Sequence, residues 1–179
     1  ADARGWFIQE LDLAERLFAS STAAEASTFR INVLLQLMQC DAALKNYAGA
    51  LSHQTRLVEL CRGTGDKGAL ADANSALCWF AELAGKYAEA LTAGEKSVSL
   101  LKDDKPCPAR VNLAHAYLFN GQFGKAQAIY AKYRGTAFED GRKWNDEVRN
   151  DFKTLRATGR DHPDMKKIEA LLDEKIGKP

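Results

Sequence analysis

The sequence predicts an all-α chain built as an array of helical hairpins, and three observations support this. First, "LCWFAELAGKYAEALTAG" (77–94) and "LAHAYLFNGQFGKAQAIY" (113–130) align without a gap, 36 residues apart. A more diverged copy, "LMQCDAALKNYAGALSHQ" (37–54), precedes them by 40. Leu37, Leu77 and Leu113 correspond, as do Tyr47, Tyr87 and Phe123, and Ala50, Ala90 and Ala126. Self-similarity at such a period marks a repeat architecture. Second, Leu113, Ala114 and Tyr117, then Ala126, Tyr130 and Tyr133, recur at helical spacing. Third, only four prolines interrupt 179 residues, so helices can run long.

From the N-terminus, Phe7, Leu11, Ala14 and Phe18, with Trp6 and Leu17, describe an amphipathic helix over 5–20. It reads either as a cap or as the second half of a repeat that begins upstream. Thr22 and Glu25 have capping-box spacing for a helix running to about Cys40. Hairpin units then occupy 31–64, 71–104 and 107–140, with "CRGTGDKG" (61–68) as an inter-repeat loop. Within the third unit, Gly121 parts the two helices, small Ala114 and Ala126 let them approach, and Phe123 fills the space at the turn. A closing pair spans 141–176. Trp144, Val148, Phe152 and Leu155 form its first stripe, and Gly159 ends that helix. Asp161 or His162 caps the next, Pro163 fits its first turn, and Met165, Ile168, Leu171 and Leu172 face inward. Such a pair hides the last apolar face of an array, and residues 1–179 read as one domain.

Composition narrows the function classes. Hydrophobic residues make up 46% and charged residues 27%, enough for a real core. A formal charge of +1, with both signs interspersed, gives no electrostatic reason to expect nucleic acid or an anionic membrane. No apolar run approaches the roughly 20 residues that span a bilayer, so no membrane insertion is expected. The opening Ala-Asp-Ala suits either a mature end after signal cleavage or the edge of a longer protein. Cys40, Cys61, Cys78 and Cys107 lie 21, 17 and 29 residues apart, without a Cys-x-x-Cys pair. They read as free thiols, which leans towards a cytoplasmic location.

The pattern Leu-small-x-x-Tyr, then glycine, an aromatic and Ala-x-x-x-Tyr in residues 107–140 resembles the tetratricopeptide repeat family. Residues 71–104 depart from it at Ala81, in place of the aromatic, and at Gly94, in place of the second large residue. Residues 31–64 depart further, at Met38, Asp41 and Lys45. Together the units cover about 110 of the 179 residues. The resemblance implies a right-handed α-solenoid in which the first helix of each hairpin lines a concave groove. It places Asn32, Leu35 and Gln39 there from the first unit, and Asp72, Ser75, Trp79 and Glu82 from the second. Val111, Asn112, His115 and Phe119 follow from the third. Family members that clamp a terminal carboxylate resemble one another in using lysine and arginine at these places, and this set has neither. Trp79, Phe119 and Leu35 offer apolar area, and Asn112, Gln39 and His115 offer hydrogen bonds, which suits a peptide with apolar anchors. The alternative is that helix 5–20 or the closing pair covers Trp79 and Phe119.

Catalysis has little support in the sequence. His53 reads as solvent-facing, His162 as a cap, and His115 as a satisfied structural histidine, with none in a nucleophile motif. Phosphate loops and metal-ligand spacings are missing, so neither cofactor nor metal is expected. The function expected is a non-catalytic module binding a protein or peptide. The alternative is a regulatory or scaffold domain of a larger enzyme.

Overall fold

The computed structural model describes residues 5, 6, 8, 9, 12 and 16, and then 23–174 without a break. Most of the expected 5–20 helix, Thr22 of the expected capping box and the last residues of the closing pair lie outside the described residues. Eight helices occur among the described residues: α1 (Ala23–Ala43), α2 (Tyr47–Thr64), α3 (Lys67–Leu83), α4 (Tyr87–Leu100), α5 (Pro108–Phe119), α6 (Phe123–Tyr133), α7 (Trp144–Ala157) and α8 (Met165–Asp173). From α1 to α6, each helix packs on the next, and α3 also meets α5. Among the described residues there is no strand, only an isolated antiparallel bridge between Ala137 and Lys143 in the α6–α7 connection. Expected boundaries shift in two places. Helix α1 runs on to Ala43, and "CRGTGDKG" is mostly helical, with only Gly65 and Asp66 between α2 and α3. Asp66 accepts from the Gly68 and Ala69 amides and thereby starts α3 at once.

The aligned positions share their physics. Ala50, Ala90 and Ala126 are fully buried, because a side chain of one carbon lets paired helices close on each other. The turns after α1, α3 and α5 are also alike. Lys45, Gly85 and Gly121 adopt φ of 57°, 74° and 71°. In each turn the following amide reaches back five residues: Asn46 to Asp41 at 2.7 Å, Lys86 to Ala81 at 2.7 Å and Gln122 to Tyr117 at 2.9 Å. This satisfies a carbonyl that the helix end leaves open.

The departures from the repeat pattern are compensated locally. Asp41, which aligns with Ala81 and Tyr117, is fully buried. It accepts from Asn46 Nδ2 at 2.9 Å and lies 3.2 Å from His53 Nε2. His53, expected to face solvent, is therefore turned inward, because a buried carboxylate requires a partner. Gly94 sits where a Cβ would come within 3.3 Å of the Leu113 Cα, so its missing side chain allows α4 to approach α5.

The largest core joins Val111, Leu118, Tyr130 and Tyr133 of the third hairpin to Trp144, Val148, Phe152, Leu155, Met165, Ile168 and Leu172 of the closing pair. The closing pair also reaches further back. Arg160 Nε donates to the Leu83 carbonyl at 3.3 Å, and Asn150, Lys153 and Thr154 of α7 share a cavity with Lys45 and Tyr47. Helix α7 therefore lies along the side formed by α3 and α5.

Candidate functional site

The face lined by α3, α5 and α7 holds a cavity of about 400 Å³. Asp72, Ser75, Ala76 and Trp79 come from α3, Pro108, Ala109 and Asn112 from α5, and Glu147 and Asp151 from α7; Leu101 and Cys107 complete it. Four residues of the expected groove, Asp72, Ser75, Trp79 and Asn112, thus meet in one place. They are brought there because helical spacing sets Asp72, Ser75 and Trp79 on one face of α3, and Asn112 ties α5 to that face. Its amide nitrogen donates to the Ser75 carbonyl at 3.0 Å and to Ser75 Oγ at 3.1 Å. A second cavity of about 930 Å³ shares Asp72, Leu101, Cys107 and Pro108 and runs to the interhelical loops. Its charges are mixed and largely engaged: Lys105 lies 3.0 Å from Glu139 and 3.4 Å from Asp103, and Arg142 lies 2.8 Å from Asp140.

The rest of the expected groove separates into exposed, buried and half-buried residues. Asn32, Leu35 and Gln39 are exposed along α1, away from this cavity. Glu82, Val111 and His115 are buried, at 0%, 1% and 0% exposure, and so do not form the surface the resemblance assigned to them. Phe119 is half-buried, stacked on Tyr87 with ring centroids 4.8 Å apart and met edge-on by His162 at 5.5 Å. The physical reason is the closing pair. Residues of α7 share the core of Val111, and α7 sets Asp151 and Phe152 against His115. His162, expected as a cap, instead lies two residues before Asp164, the N-cap of α8; it accepts from the Asp164 amide at 3.2 Å while its ring meets Phe119.

Beneath the cavity floor lies a buried polar cluster. His115 Nδ1 is 2.5 Å from the Tyr130 hydroxyl, and His115 Nε2 is 3.3 Å from Asp151 Oδ2. Burial raises the Tyr130 hydroxyl well above its ordinary pKa, and the charges of Glu82 and Asp151 add to this. Burial likewise pushes the Glu82 carboxyl well up, which favours its neutral form. The Cys78 thiol, 3.6 Å from Glu82 Oε1, is raised by burial and then by Glu82. His115, Glu82 and Tyr130 have no exposed surface, so a substrate does not reach them in this conformation. Among the described residues, no group of three or more His, Cys, Asp or Glu side chains is arranged to hold a metal, and no helix is long and apolar enough to cross a membrane.

No protein-family model matches the chain, and no curated protein matches it.

Sequence reasoning missed Glu147 and Asp151. They flank the apolar stripe of α7, and nothing in their spacing marks them as part of a site. Only the way α7 crosses α3 and α5 turns them into walls of a cavity.

Proposed function

We propose that this chain is a non-catalytic module that holds a segment of another protein against its inner helices, with Trp79 as the principal anchor. The observation that carries this is the cavity that half-buried Trp79 lines together with Asp72, Ser75 and Asn112. Concave sites of this kind, an aromatic wall with a few convergent polar groups, are where ligands settle. Exposed Asn32, Leu35 and Gln39 extend the available surface along α1. We read the hairpins as degenerate tetratricopeptide units in a right-handed array. The recurring left-handed turn residue and the recurring buried alanine support that reading. A catalytic role for His115 with Glu82 is disfavoured by their burial.

The test is selection of binders from a random peptide display library on the intact chain, followed by affinity measurement on Trp79→Ala and Trp79→Phe. Trp79→Ala is expected to weaken binding by about tenfold or more with helical circular dichroism retained, and Trp79→Phe by less. Unchanged affinity in both variants would refute the proposal.

A further inference from the structure

We infer that the cavity beside Trp79 receives the guanidinium of an arginine on the bound segment; this rests on the peptide-binding reading above. Its charged lining is all of one sign. Asp72, Glu147 and Asp151 contribute three carboxylates, and neither lysine nor arginine lines it. Asn112 spends its amide nitrogen on Ser75, which leaves its side-chain oxygen as the group free to accept. Glu147 is partly neutralised from outside the cavity by Arg142 Nη1 at 2.6 Å. Among the described residues, neither Asp72 nor Asp151 forms an ion pair with a lysine or arginine, and the contact of Asp151 is with His115. A donor-rich cation is what such a lining lacks.

The shape of the site selects among cations. The carboxylates stand on two different helices, α3 and α7, in a cavity that Trp79 also lines. A planar guanidinium offers five donors in a fixed fork and stacks on an indole, whereas an ammonium is a compact, strongly hydrated point charge. A bare metal ion fits poorly, since the carboxylates are not gathered as a metal-binding group. Low-dielectric walls of one sign also concentrate field within a cleft, which draws a cationic side chain towards it.

The experiment uses the full chain and the display-selected peptides. Selected sequences are expected to be enriched in arginine. Replacing that arginine by citrulline, a neutral group of the same shape, should weaken binding about tenfold or more, and lysine should fall between. Asp72→Asn, at an exposed position, should weaken the arginine peptide and leave the citrulline peptide unchanged, which isolates the pairwise term. Circular dichroism checks that the variant is folded. If the selected peptides lack arginine, or if arginine and citrulline bind alike, this inference falls while peptide binding stands. If the library yields no binder, both fall.

Discussion

At Lys45 the chain holds a lysine at φ 57°, where the equivalent turns use Gly85 and Gly121. A left-handed backbone presses Cβ against the following carbonyl, at a cost of about 1–2 kcal/mol that glycine avoids. Part of that gain is offset by the greater freedom of glycine in the unfolded chain. Lys45→Gly should therefore stabilise the protein by about 0.5–1 kcal/mol, read as a higher urea midpoint at unchanged slope. Glu82 gives a pH prediction. Burial raises its pKa above the ordinary value of 4.5, so the folded protein keeps a proton that the unfolded chain releases. Its contribution is fully present below 4.5 and is lost as pH rises towards the folded value. Glu82→Gln removes that titration. Its melting temperature relative to the natural protein should rise from about pH 4 to about pH 8, and a difference independent of pH would mean that Glu82 stays charged when folded.

Each hairpin depends on small side chains at the crossing. Ala126 is fully buried between α5 and α6. Ala126→Leu adds carbons where no space exists and should cost about 1–3 kcal/mol in thermal or urea unfolding. Gly94 performs the same service between α4 and α5, where a Cβ would lie 3.1 Å from Cys78 Sγ and 3.2 Å from Leu113 Cδ1. Gly94→Leu should cost as much or more, whereas leucine at exposed Ala88, on the same helix, should be within about 0.5 kcal/mol of neutral. Equal effects at the two positions would argue against the close α4–α5 approach. In the first hairpin Asp41 accepts bonds from α2 and its preceding turn. Its loss to alanine should cost about 1–3 kcal/mol.

The molecule as a whole is held by its C-terminal pair. Helices α7 and α8 cover Val111, Leu118, Tyr130 and His115 and complete the largest core. Ending the chain at residue 140 would return those side chains to water, at about 1.5–3 kcal/mol for each large apolar one. That sum approaches the roughly 5–15 kcal/mol of a typical domain. The truncated chain should lose cooperative unfolding in its third hairpin, seen as rapid amide exchange across α5 and α6. Protection unchanged there would show that the third hairpin folds without the pair.

Much of the fold was legible in local pattern. The stripes Trp144–Val148–Phe152–Leu155 and Met165–Ile168–Leu172 are buried as their spacing requires, and the aligned alanines and turn residues fall at equivalent places. These features are set by neighbours three to five residues away, and sequence by itself determined them. The site was not legible in the same way. Asp72, Ser75, Trp79 and Asn112 could be placed on inner helix faces, but the covering of Glu82, Val111 and His115 depends on where a helix dozens of residues later comes to rest. So does the recruitment of Glu147 and Asp151. Only the tertiary structure decided which part of that face stayed open, because the path of α7 is fixed by long-range burial against α5 and α6 and by the Arg160 bond to Leu83, contacts that no local periodicity encodes.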